Sequence, residues 1–491
     1  MNQQIRSWVF WLIFIPVAVI FFSRCANIVP PGGGPRDTLP PVLLQARPAD
    51  STLHFEGHKV SFLFDEYVEL DNINDKLIVS PTLKRQPIVT AKLHTVTITF
   101  KDTLKPNTTY TFNFADGVRD LNERNPIQDF QYVISTGSYL DSLQISGRII
   151  NAEQGTLDSS VAVMLYPGNS EDSIVSKEKP LYYAKSKHDG SFRFKNLAPG
   201  SYKIFALKEE DRDLTYSSPS ELIAFLEHPI VIQEKNISDV NMLLFMETDS
   251  TIKKPAEHLD SLDLVALEEQ VREENKKKKI PKLTAQAKMD NGKQDLPEPM
   301  RINFSVPLKV IVSNRILLLQ DSTLEQVAFH TQMDSLKTEM RIIYPWKENM
   351  KYRLIIPKEA IKDTANQMMA KADTINFTSK KLVEYSIFTA KLAISDSTRQ
   401  AIDDSTMHFV VELVQDKTIK YSGTAKNGTW TQELIIPGEY SVRILLDKNG
   451  NGKWDRGSYY TPPKRQPERV ILLPEKYNLK AGWNNIKTLT F

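Results

Sequence analysis

Apolar and polar residues alternate along most of this chain. Val60, Phe62 and Phe64 are spaced by Ser61 and Leu63, Val96, Ile98 and Phe100 by Thr97 and Thr99, and Tyr110, Phe112 and Phe114 by Thr111 and Asn113. A period of two, with aromatic and β-branched residues on one side, predicts half-buried antiparallel strands. Turn-rich clusters at 101–108 and 116–120 separate them, and short strands at this spacing predict a sandwich. Leu143, Ile145, Gly147 and Ile149 open another strand, 161–166 a second and 182–185 a third.

One stretch occurs twice. Asp189-Gly190-Ser191-Phe192 runs through Leu197 and Pro199-Gly200 to Tyr202; Asn427-Gly428-Thr429-Trp430 runs through Ile435 and Pro437-Gly438 to Tyr440, at a constant offset of 238 residues. Asp-Gly or Asn-Gly supplies the positive φ of a tight turn, and Pro-Gly makes a second turn before the next strand. The repeat predicts a modular, duplicated chain. A length of 491 residues implies about three to five domains.

The alternation stops between 247 and 295. Residues 255–279 read as an exposed helix, with Glu268–Arg272, Glu273–Lys277 and Glu274–Lys278 pairs four apart. Lysines 276–279 lie at its C-terminal end, where the helix dipole favours cations; they read as a solvated helix end or as a phosphate- or partner-binding patch. From 296 to 380 the pattern resumes with Ile302, Phe304 and Val306, then Tyr352 in the place of Tyr110, then 361–366 echoing 118–122. Residues 384–491 repeat 141–246.

The N-terminus has a different composition. Arg6 precedes an apolar run from Trp8 to Phe22, 15 residues long, followed by Ser23-Arg24-Cys25. This is the layout of an export signal, and the run is short for a membrane span of roughly 20 residues. Cys25 is the chain's single cysteine. Its position resembles the lipobox of bacterial lipoproteins, except that Arg24 stands where a small residue is usual. The resemblance implies acylation of Cys25 and a lipid anchor; the alternative is an uncleaved signal anchor. Residues 26–41, rich in proline and glycine, read as a tether. Surface-exported lipoproteins of the Bacteroidetes type, which this end resembles, usually carry an acidic cluster just after the cysteine; none follows Cys25, so the resemblance implies the periplasmic face of the outer membrane over surface exposure. Removing 1–25 removes Arg6 and Arg24 and no acid, leaving 60 basic and 60 acidic residues. That balance argues against nucleic acid as a partner, which needs a basic footprint.

Residues 42–138 resemble the bacterial Ig-like domain of S-layer and surface proteins of the SbsA type, on the motifs Pro48-Ala49-Asp50-Ser51, 60–68, 104–112 and Val118-Arg119-Asp120-Leu121-Asn122. The resemblance implies a structural or adhesive role and no catalytic residue. The Asp-Gly and Pro-Gly hairpin of 141–246 resembles the transthyretin-like, carboxypeptidase-regulatory-like domain, which implies a seven-stranded sandwich. The expected fold is therefore all-β: tandem β-sandwiches, Ig-like (42–138) plus transthyretin-like (141–246), duplicated as 296–380 and 384–491 across a charged helical linker, 247–295.

No reaction is legible. The eight histidines form no zinc-protease motif, and there is no nucleophile elbow or phosphate loop. Asp65-Glu66 reads as a strand end before a catalytic pair. The sharpest candidate is Asp447-Lys448-Asn449-Gly450-Asn451-Gly452-Lys453-Trp454-Asp455. Asp447, Asn449, Asn451 and Asp455 with Gly at position 6 follow the first part of a calcium loop, but position 12 is Ser458, not glutamate. The loop is either a weak calcium site or an ion-free turn. Its counterpart, 209–213, lacks the glycines. Trp430 takes the place of Phe192 and reads as core; Trp454 is the candidate exposed ring for stacking on a glycan or peptide. The reading is a non-enzymatic envelope lipoprotein that binds or scaffolds an unknown envelope protein or glycan. An accessory subunit of a separate envelope peptidase or polysaccharide system, or an unrecognised hydrolase, are the alternatives.

Overall fold

The computed structural model describes residues 36–208, 213–248, 282–320, 325–402 and 407–491. The signal 1–25 with Cys25, the tether up to residue 35, the 255–279 helix and residues 209–212 lie outside them. The described chain is almost entirely β, as the alternation requires. It divides into two compact units, 1–141 and 142–491.

In the first unit, one sheet orders Leu43–Arg47, Lys59–Phe64, Thr95–Thr99 and Ile88–Lys92; the other orders Ile78–Ser80, Thr109–Ala115 and Phe130–Ser135. Val68–Leu70 pairs with Val118–Asp120 beside them. The alternating residues meet in one core: Phe62 contacts Phe114 edge-to-face at 5.6 Å and Tyr132 at 4.9 Å. Each such ring contributes about 1.5–3 kcal/mol by leaving water. The end of the expected tether belongs to this domain: Asn125 Nδ2 donates to the carbonyls of Asp37 and Leu39, and Pro41 is buried.

Among the described residues, the second unit contains three further large cores. The earliest is built from eight strands, Leu143–Asn151 to Ile237–Met246, one more than the resemblance implied. Its first strand pairs in parallel with its last, a pairing that local alternation does not reveal. The next core, from Leu283 to Phe377, repeats the first unit's strand order. Ala285–Lys288, Met300–Phe304, Glu339–Ile343 and His330–Met333 form one sheet, Leu317–Gln320, Lys351–Ile356 and Asp373–Ser379 lie in the other, and Leu308–Ile311 pairs with Ile361–Asp363. The expected linker therefore ends sooner than residue 295, and this domain begins before 296: Leu283 is buried in its core, and Ala285–Lys288 and Lys293–Gln294 are paired strands. The last core again pairs its first strand, Ser386–Ala393, in parallel with its last, Asn484–Thr490.

The duplication extends to single hydrogen bonds. Tyr110 Oη accepts from Lys105 N at 2.9 Å, and Tyr352 Oη from Lys347 N at 3.0 Å. Tyr202 Oη donates to the Ala198 carbonyl at 2.8 Å, and Tyr440 Oη to that of Ile436 at 2.7 Å. Trp430 is buried, as its place in the repeat requires, and Phe491 packs on Phe409.

Candidate functional site

The loop at 447–455 begins where the strand Gly438–Asp447 ends. Asp447 is fully buried. Its Oδ1 accepts from Gly450 N at 2.7 Å and its Oδ2 from Gly452 N at 2.8 Å. Both glycines have positive φ, 73° and 75°, the region that costs glycine least. Asn449 Oδ1 accepts from Asn451 N at 3.0 Å, and Asn451 Oδ1 from Lys453 N at 2.7 Å. The amide groups of Asn449 and Asn451 donate to Asp455 Oδ2 at 2.5 and 2.8 Å. The structure thus brings the four sequence candidates into one loop.

A fifth residue was not expected. Glu468 is buried; its Oε1 accepts from Lys448 N at 2.7 Å and its Oε2 from Asp455 N at 3.1 Å. Burial pushes its carboxyl above the ordinary range, the charges of Asp447 and Asp455 add to that, and the two N–H donors oppose it. Glu468 stands outside any loop-motif spacing. Its only signal is an acid directly before the aliphatic strand Arg469–Leu479.

Trp454 is half-buried rather than exposed. Its ring packs against the cluster of Val410, Leu445 and Val470, and its indole N–H donates to the Glu468 carbonyl at 2.8 Å. The exposed tryptophan of this domain is Trp483, 61% accessible. Among the described residues, no group of three or more His, Cys, Asp or Glu side chains is arranged to hold a metal. The oxygen donors present suit a hard cation, but an ion would have to displace the two asparagine amides from Asp455. Asp65 and Glu66 follow directly on strand Lys59–Phe64, and Asp65 Oδ1 accepts from Val42 N at 2.8 Å.

Residues 37–136 match the family described as bacterial Ig-like domain, so that segment is an Ig-like domain. No curated protein matches the chain. Among solved structures, the major pilin subunit BcpA of Bacillus cereus is 10% identical, with 72% of this chain and 99% of that one covered, at a TM-score of 0.16. The Bacillus anthracis TIE protein is 10% identical over 94% of this chain and 76% of that one, at a TM-score of 0.16. The N-terminal part of the bacterial S-layer protein SbsC is 13% identical over 39% and 46%, at a TM-score of 0.20.

Proposed function

We propose that this chain is a non-enzymatic lipoprotein of the cell envelope, anchored through acylated Cys25, that binds or scaffolds an envelope protein or glycan. One observation supports the non-catalytic reading most. The described residues include five buried acids, and each is committed to a structural hydrogen bond. Asp120 accepts from three backbone N–H groups, Asp363 from Gln367 N, Glu412 from Arg443, Asp447 from two glycines, and Glu468 from Lys448 N and Asp455 N. Their partners are the chain's own groups, which accounts for their burial without a catalytic role. The Ig-like domain at 37–136 fits a structural or binding role.

Pull-down from envelope extract with the acylated chain tests the reading, with Cys25→Ser as control. Retention of one partner by the acylated protein, and release of C25S into the soluble fraction, is the expected result. Turnover of peptide or glycan libraries by purified protein would overturn it. Copurification of a catalytically active envelope enzyme would convert it into the accessory-subunit reading.

The 447–455 loop keeps both of its readings, an ion-free turn or a calcium site at Asp447, Asn449, Asn451 and Asp455, which would hold the ion weakly, in roughly the millimolar range of extracellular modules. Calcium at ten times its dissociation constant would then stabilise the chain by about 1.4 kcal/mol. Thermal unfolding with calcium against chelator reads this, and Asp455→Asn should abolish the difference. An identical midpoint in both conditions removes the ion from the proposal.

A further inference from the structure

The eight-stranded domain at 143–246 buries two sheet faces. Ile204, Ala206, Ala224 and Leu244 point into its own core. Their neighbours Phe205, Phe225 and Phe245 point the other way, yet are only 3%, 4% and 1% exposed. An outward apolar face stays dry only if something covers it.

The cover is residues 456–466, which leave the last domain between Asp455 and Glu468. Tyr459 meets the rings of Phe205 at 5.5 Å, Tyr216 at 6.1 Å and Phe225 at 4.9 Å. Its hydroxyl donates to the Asp172 carbonyl, and its backbone N–H to Glu247 Oε1. Tyr460 N donates to the same oxygen at 2.6 Å. Gln466 Nε2 reaches the Phe225 carbonyl at 2.9 Å, and Lys464 pairs with Asp172 at 3.0 Å. Gly457 lies so close to the Phe245 ring that a Cβ would stand 2.5 Å from it. Beside this seam Val470 N donates to the Ala152 carbonyl at 2.9 Å.

We infer that residues 456–466 are an interdomain clasp, with Tyr459 as its plug, which makes the 143–246 and 386–491 domains one mechanical block. Domains separated in sequence by a whole further domain are thereby joined in cis. A chain serving as a rigid spacer needs such a joint, because ordinary interdomain contacts permit relative motion. This inference does not depend on whether the 447–455 loop takes an ion.

Trypsin cleavage after Arg456 in the full chain reports opening of the clasp. Tyr459→Ala should raise the rate roughly tenfold or more, as loss of the plug increases the open population. It should also split the common thermal unfolding of the two domains into two steps. Thr461→Ala, at an exposed position in the same segment, should leave the rate within about twofold. If Tyr459→Ala fails to fold, Glu247→Gln provides the reading: it keeps one acceptor oxygen and should give a smaller, roughly threefold rise. Unchanged cleavage in both Y459A and E247Q, or equal effects of Y459A and T461A, overturns the clasp.

Discussion

Asp120 has its carboxylate bonded by Glu123 N and Asn125 N at 2.6 Å and Arg124 N at 2.9 Å. Burial alone would raise its proton affinity; the backbone donors outweigh it and hold the carboxyl below the ordinary value of 3.8. A depressed folded value means the stabilisation is complete above 3.8 and is lost as pH falls through the folded value beneath it. Asp120→Asn should cost the first domain about 1–3 kcal/mol near neutral pH and flatten its acid limb, read by denaturant unfolding as a function of pH. Tyr110→Phe and Tyr352→Phe remove equivalent bonds, and each should cost its own domain about 0.5–1.5 kcal/mol. The aromatic cores were legible from alternation because side-chain period reports burial. Asp120 and Glu468 were not, because their partners are backbone N–H groups contributed by chain folding.

The hairpin unit shows what a repeated element preserves and what it leaves to its surroundings. Gly190 and Gly428 occupy the same turn position with φ of 68° and 71°. Alanine at either should cost about 1 kcal/mol of backbone strain. Only Gly190 is also crowded: a Cβ there would lie 2.9 Å from the Ile149 carbonyl oxygen, against 3.9 Å from that of Leu392 at Gly428. G190A should therefore lower the melting point of its domain more than G428A lowers that of its own. Gly147 carries the contrast further. It pairs with Phe192, as Ala390 pairs with Trp430. A Cβ on Gly147 would stand 1.8 Å from the Val240 carbonyl oxygen, so Gly147→Ala should destabilise by about 4 kcal/mol or more although alanine occupies the equivalent place. The turns were legible because they are local. The parallel pairing of first and last strands was not, because strands about a hundred residues apart meet only through topology.

Across the whole molecule, the joints are less visible in sequence than the domains. The clue to the clasp was present: the strands Ala162–Pro167 and Leu222–Phe225 are continuous apolar runs, not alternating ones, and a continuous run signals burial on both faces. The joint between the 283–377 and 386–491 cores gave no such clue. Tyr385, buried, accepts from Leu296 N at 2.7 Å and donates to Asp295 Oδ1 at 3.1 Å, while Lys380 pairs with Asp295 at 2.7 Å and Lys293 with Glu384 at 2.7 Å. This hydroxyl, the two ion pairs and the strand pairing of Lys293–Gln294 thus hold the end of the segment that the loss of alternation assigned to a linker. Tyr385→Phe keeps the ring and leaves Leu296 N without its acceptor, a loss of about 1–3 kcal/mol local to the joint. Amide exchange should then quicken at 294–298 and 382–386 while the strands Lys351–Ile356 and Gly438–Asp447, in the two cores, keep their protection. Exchange that instead rises through both cores would make Tyr385 a core residue of the domains themselves, and equal protection everywhere would mean the ion pairs suffice to hold the joint.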